Sequence, residues 1–296
     1  MPPRIDDRER SVIAKDVVVD GLRVRYHEHG SGDPVVFLHG IGGTADYWRR
    51  AVEGVGRTHR AVAIDLPGCG GSDPLPGDDS PEQTAAFLWK AVKAIGLSPP
   101  VLVGHSFGGL LSLMMCLDRP EAVRGLVLIG SGGLGRASNP SLLALIFTPL
   151  GEVYPWLARL PLGPEAVVAS LAVSGACRPW RLPPQWWRSE RKTASSYDAL
   201  RNTVRSLRKT SLPWGQRYVL LDRLPELPMP CLILWGTHDQ FTPFWHALAA
   251  DRRVRHGTLR LLPFTGHLLP SEAEGRFLRY LLGFLDELAT AEEPSS

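Results

Sequence analysis

Short apolar runs recur along the 296-residue chain, each closed by glycine or a polar residue. Pro34 to Leu38, Ala61 to Ile64, Val101 to Val103, Gly125 to Ile129, Cys231 to Trp235 and Thr258 to Leu262 are nearly continuous rather than alternating. Runs of this kind suit strands buried on both faces, as in a parallel sheet. Val17 to Val19 and Leu22 to Glu28 flank an Asp20-Gly21 turn and predict a hairpin. Helical patterns lie between several of these runs. Pro81 to Ile95 follows Ser80, a good N-cap, with Pro81 at the first helical position. Its residues Ala85, Leu88, Val92 and Ile95 share one face. Leu110 to Leu117 predicts a buried helix. Glu272 to Leu288 predicts a terminal amphipathic helix, and Ala289 to Ser296 a frayed tail. Strands alternating with helices predict an α/β fold, with a mostly parallel central sheet flanked by helices.

The alternation fails between Leu134 and Arg217, which is rich in Pro, Trp, Leu and Arg. Leu200, Val204 and Leu207 form one helical stripe there. We expect a core domain from residues 1–133 and 218–296, and a helical cap inserted over residues 134–217.

Composition narrows the function classes. Hydrophobic residues make up 44% and charged residues 21%, as in ordinary globular proteins. A net charge of +3 with no basic-aromatic block gives no reason to expect a nucleic-acid partner. Cys69, Cys116, Cys177 and Cys231 form no CxxC pair, and no Cys/His cluster has metal-ligand spacing. Cys116 and Cys231 sit in apolar runs and read as buried thiols. The stretch Met1 to Arg10 is polar, without the apolar segment of a secretory signal. Apolar runs such as Ser141 to Leu150 are half the length of a membrane span. The expectation is a soluble cytoplasmic protein, monomer or homodimer.

Four segments carry candidate chemistry. Gly104-His105-Ser106-Phe107-Gly108-Gly109 contains G-x-S-x-G between a strand and a helix, the context of a nucleophile elbow. His39-Gly40-Ile41-Gly42-Gly43 follows another strand, where a glycine-rich loop turns backbone N–H groups toward a reaction centre. The amides of Ile41 and Phe107 are the candidate oxyanion donors. Asp239, in Trp235-Gly236-Thr237-His238-Asp239, and His267, in Thr265-Gly266-His267, follow the last two strands.

These motifs resemble the α/β-hydrolase superfamily over nearly the whole chain. Ser106, Asp239, His267 is the chain order that fold uses. The resemblance implies Ser106 as nucleophile, His267 as base and Asp239 as the acid that orients it. It also implies that Asp65, in Asp65-Leu66-Pro67-Gly68, is structural. Some relatives place the acid after the preceding strand, where Gly130-Ser131-Gly132-Gly133 offers no carboxylate. For Glu272 two readings stand, contact with the His267 loop or a cap on the last helix near Ser271, and the cap is the expected one. His39 and His105 are expected to pack around or line the pocket, His238 to point away, and His59, His246 and His256 to be solvated.

A serine at the elbow predicts an acyl-enzyme that needs no metal or organic cofactor, and the first functional reading is hydrolysis of a small-molecule substrate, a moderately apolar carboxylic ester. Trp156, Trp180, Trp186, Trp187 and Trp214 offer aromatic surface for an acyl pocket, with one or two of them expected to line it. Gly40 and Leu268 are expected beside them. The second reading is a carbon–carbon bond hydrolase of vinylogous diketones. Ser131-Gly132-Gly133-Leu134-Gly135 resembles that group, and Arg188 is the candidate carboxylate-binding residue. His105 stands where that group has Asn, and Leu268 where it has Trp. A non-catalytic small-molecule receptor on the same fold is the third. Ten basic residues against Glu190 and Asp198 between Arg178 and Arg217 predict a basic cap. Arg201, Arg205 and Arg208 lie on one helical face, expected to be solvated.

Overall fold

The structure is a computed structural model that describes residues 12–77 and 79–292. The segment Met1 to Arg10 lies outside the described residues. Ten strands form: β1 (Ile13–Val19), β2 (Leu22–His29), β3 (Pro34–Leu38), β4 (Arg60–Ile64), β5 (Val101–His105), β6 (Gly125–Ile129), β7 (Ser211–Leu212), β8 (Gly215–Gln216), β9 (Cys231–Gly236) and β10 (Gly257–Leu262). Eight make one sheet in the order β1-β2-β4-β3-β5-β6-β9-β10. The β1–β2 and β2–β4 pairs are antiparallel and the rest are parallel.

The parallel strands are apolar throughout because both faces are covered. Val36, Leu38, Leu102, Leu126, Leu128, Ile233 and Trp235 point into one core. The alternate residues Val35, Phe37, Val103, Val127, Ile129, Leu232 and Leu234 point into the other. On the first face lie α2 (Pro81–Ile95), α3 (Phe107–Asp118) and α9 (Trp245–Asp251); on the second lie α1 (Arg49–Val55) and α11 (Glu274–Glu292). Ser80 caps α2 through Gln83 N, with Pro81 at N1 as expected. The last helix begins at Glu274, after the short helix Leu269–Glu272, and continues through residues 289–292. The expected tail is therefore helical that far, and residues 293–296 lie outside the description.

Chain order reverses at the centre of the sheet. From β3 the chain moves one way to β4, then returns to the other side of β3 as β5. In open parallel sheets the crevice at such a switch point, beyond the strands' carboxyl ends, is where ligands bind. The loop after β3 and the turn after β5 border that crevice.

Between β6 and β9 the chain forms α4 (Pro140–Phe147), α5 (Leu150–Val153), α6 (Gly163–Gly175), α7 (Pro184–Ala194) and α8 (Tyr197–Thr210). Besides short 3-10 turns, its extended pairing is limited to the separate β7–β8 hairpin and an isolated bridge from Gly133 to Val219. Val167, Val168, Ala172, Trp186, Leu200 and Leu268 form a third apolar cluster. Among the described residues no single helix is long and apolar enough to cross a membrane.

Candidate active site

Ser106 sits between β5 and α3 with φ 55° and ψ −115°. This conformation is rare for a residue with a side chain and costs on the order of 1–3 kcal/mol. The neighbours hold it there. Ser106 N donates to Ile129 O (2.9 Å), and Ser106 O accepts from Gly109 N, Leu110 N and Gly132 N. The turn is so tight that a Cβ at Gly104 would meet the Gly108 carbonyl, and one at Gly108 would meet the Leu38 carbonyl. That close approach is the physical reason for the small residues of the motif.

Asp239 and His267 meet at the ends of β9 and β10. His267 Nδ1 lies 2.8 Å from Asp239 Oδ2. Four donors converge on this carboxylate. Oδ1 accepts from Phe241 N and Thr242 N, both at 2.9 Å. Oδ2 lies within reach of the His267 ring and of Thr242 Oγ1 at 2.9 Å. Thr242 Oγ1 also lies 3.0 Å from Gly130 O, so its single proton serves one acceptor at a time. Gly130 has φ +48°, and a Cβ there would sit 3.0 Å from Asp239 Oδ2 and 3.1 Å from His267 Nδ1. A side chain at 130 would press on the pair. Neither residue carries a motif that marks this role: Gly130 directly follows β6, and Thr242 lies six residues beyond β9.

The His267 ring lies between the Phe241 ring, edge-on at 5.2 Å, and the His105 ring at 4.7 Å. His105 Nε2 donates to His267 O (2.9 Å), while burial holds the His105 imidazole well below its ordinary pKa. His105 is thus a neutral buttress that places no charge beside His267, and it lines the cavity with Gly40 and Leu268. His39 does not line the cavity. Its ring is fully buried, with Nε2 accepting from Leu66 N and Nδ1 donating to Gly40 O. This side chain shapes the loop from beneath. Asp65 accepts from Ala45 N and Gly71 N, bracing the loops on either side.

Glu272 differs from the expected helix cap. Its buried carboxylate accepts from Gly266 N (2.7 Å), Cys177 N (3.1 Å) and Arg178 N (2.6 Å). Leu268 N donates to Gly175 O close by. Glu272 therefore clamps the loop that carries His267 to the end of α6, five residues from the imidazole. The sequence hides this because all three partners are backbone amides. His246, expected to be solvated, is buried, and its ring packs where Gly135 leaves room. His59 is half-buried, while His238 stacks on Phe264, away from Asp239.

A cavity of about 430 Å³ opens above Ser106 and His267. Ile41 and Phe107 line it, and among the described residues neither backbone amide has an acceptor. Leu142, Leu145, Val168, Leu200, Val204 and Leu207 supply apolar wall. No tryptophan lines it, contrary to expectation. Trp156, Trp180 and Trp214 are exposed, Trp186 is buried in the third apolar cluster, and Trp187 lies edge-on to Trp186 at 36% exposure. Arg188 is also absent from the cavity and borders a second pocket of about 310 Å³ with Trp186. Glu190, Thr193 and Ala194 are the α7 residues that face the cavity, and Arg188 lies about 200° round the helix from Glu190. Among the described residues the cavity wall contains no Lys or Arg. Among the described residues its one carboxyl is Glu190, which has no hydrogen-bond partner there and whose pKa burial pushes up to about 7. Arg205 and Lys209 pair with Asp79, and Arg208 with Glu152, so this basic face turns from the cavity.

Residues 33–273 match the family model described as alpha/beta hydrolase fold. The chain is 27% identical to 2-hydroxy-6-oxo-6-phenylhexa-2,4-dienoate hydrolase of Burkholderia cepacia, covering 90% of this chain and 92% of that protein. Among solved structures it is similar to a bacterial membrane phospholipase A, at TM-score 0.78 and 25% identity over 96% of this chain and 89% of that one. It shares its fold with a thermophilic esterase from Thermogutta terrifontis, at TM-score 0.75 and 22% identity over 93% and 99% of the two chains. With its mostly parallel sheet and its match to the family model over residues 33–273, the chain belongs to the α/β-hydrolase family.

Proposed function

We propose that the protein is a serine hydrolase that cleaves moderately apolar carboxylic esters through an acyl-enzyme, with residues 134–217 acting as a cap over the cavity. The observation that carries this reading is the Asp239–His267 pair, saturated with donors, whose His267 lines the same apolar cavity as the strained Ser106. In this reading His267 Nε2 takes the Ser106 hydroxyl proton as Oγ bonds to the ester carbonyl carbon. The Ile41 and Phe107 amides receive the oxyanion. Collapse expels the alcohol, which leaves with the proton from His267. Water then attacks the acyl-serine, again through His267, and releases the acid. Asp239 holds the Nδ1–H tautomer throughout.

Carbon–carbon bond hydrolysis is the second reading, favoured by the Burkholderia relative. That relative's named substrate is a carboxylate. This cavity offers no cationic side chain to receive one and presents Glu190 instead, which supports the neutral ester.

Ser106→Ala is expected to fold normally and to lower kcat on an activated aryl ester by at least about 10⁴. A fluorophosphonate probe is expected to label wild type at Ser106 and leave the variant unlabelled. Retained activity, or labelling at another serine, overturns the assignment. Turnover of a dienoate ring-fission product with no ester cleavage would move the protein to the second reading.

A further inference from the structure

The cap segment from Pro140 to Leu162 is apolar on two sides. Leu142, Leu145 and Tyr154 line the cavity, and Leu143 and Ile146 are buried. On the outside, Phe147, Leu150, Val153, Trp156, Leu160 and Leu162 are 38–76% exposed. Among the described residues fifteen large apolar side chains are exposed, and six of them fall within these sixteen positions. Single exposed apolar residues are normal, whereas a concentrated row marks a surface that something covers. The pieces Pro140–Phe147 and Leu150–Arg159 together have the apolar content of a span but meet at 77°. They present a ridge rather than a rod, suited to lying in an interface.

Charge identifies the occupant. Residues 134–217 hold twelve basic and four acidic residues, a net +8, while the whole chain carries only +3. The ridge's single acid, Glu152, is paired with Arg208 at 2.5 Å. Its single cation, Arg159, stacks on Trp156 and Tyr197 at 4.7 and 4.6 Å and has no carboxylate partner among the described residues. A second copy packed ridge to ridge would bring two such cationic caps together, whereas an anionic lipid surface meets both the apolar row and the charge.

We propose that this ridge docks the protein on anionic lipid surfaces, with the apolar row at the acyl–headgroup boundary and the cap cations over the headgroups. Because Leu142 and Leu145 lie on the inner side of the same segment, docking brings the cavity wall to the lipid, where acyl esters reside. That last consequence rests on the ester reading; the docking does not.

Co-sedimentation of the full-length Ser106→Ala protein with vesicles tests docking without turnover. Vesicles of phosphatidylcholine containing phosphatidylglycerol are expected to bind it at least about tenfold more tightly than pure phosphatidylcholine, with the difference shrinking as salt screens the charge. Adding Leu150→Ser and Leu160→Ser is expected to weaken binding about tenfold or more. Leu150→Met with Leu160→Met retains it, and Val18→Ser on the exposed edge strand serves as a control without effect. Near-ultraviolet circular dichroism confirms that each variant is folded. If the double serine variant is not, Leu150→Ser alone is expected to weaken binding about threefold. Absence of binding to either vesicle, or equal binding by the serine variants, overturns the proposal. So does a stable dimer in sedimentation velocity that the serine variants split, which would assign the ridge to self-association. Docking without hydrolysis of any ester would remove only the ester reading, and hydrolysis of soluble esters without docking would remove only the ridge proposal.

Discussion

Glu190 faces the cavity with no hydrogen-bond partner among the described residues, and burial raises its pKa from 4.5 to about 7. The folded state thus holds this proton more tightly than the unfolded chain does. The resulting penalty is absent below about pH 4, grows as pH rises past 4.5, and is complete above pH 7. Glu190→Gln is expected to match wild type in denaturant unfolding near pH 4 and to exceed it near pH 8, by on the order of 1–3 kcal/mol. An equal difference at both pH values would contradict the buried-carboxyl assignment. Thr242, which also lines the cavity, shows how a neighbour of the Asp239–His267 pair supports the proposed chemistry. Its hydroxyl reaches Asp239, Gly130 O and, at 3.3 Å, His267 Nδ1. Thr242→Val keeps the shape but leaves the Gly130 carbonyl without this donor. We expect kcat to fall about tenfold with KM little changed, and stability to fall by about 1–3 kcal/mol. Steady-state kinetics and urea unfolding of the same preparation check both.

At the scale of elements, the loop after β10 and the end of α6 behave as one piece. The Glu272 carboxylate closes three backbone amides across that junction, and Leu268 N adds a fourth bond to Gly175 O. Glu272→Ala strands three amide donors, so a stability loss of about 2–4 kcal/mol is expected. Because the loop carries His267, kcat is expected to fall more than KM rises, and the pH profile of kcat/KM to broaden as the imidazole loses its fixed position. Glu272→Gln restores one acceptor and is expected to recover part of both losses. A variant that loses stability but keeps the wild-type kcat and pH profile would make Glu272 structural only. Sequence reasoning reached the strands and α2 closely, since continuous apolar runs and the Ser80-Pro81 start are local signals. It read α3 from Leu110 instead of Phe107 because two glycines at the elbow obscure the helical pattern.

Across the whole molecule, the cavity wall is built from α4, α6, α7 and α8 above and from the strand-end loops below. Leu145 sits on the cavity side of α4. Leu145→Trp fills volume there and is expected to shift preference toward shorter acyl chains, raising KM for longer esters at least about tenfold while an acetyl ester is cleaved normally. Trp180→Ala and Trp214→Ala, both outside the cavity, are expected to leave that preference unchanged. An acyl-length series of aryl esters reads all three variants.

The sequence by itself determined the α/β alternation, the elbow around Ser106, and the chain order of Ser106, Asp239 and His267. Each rests on periodicity or on short-range backbone chemistry. Which residues face the cavity was decided only by tertiary packing. Helix rotation brings Glu190 to the cavity wall and keeps Arg188 off it, although two positions separate them. The clamp of Glu272 onto amides nearly a hundred residues away leaves no mark in local pattern. The burial of His246 against Gly135 is equally silent in the sequence. Contacts between distant segments fix burial and charge environment, and those contacts exist only once residues 134–217 pack against the rest of the chain.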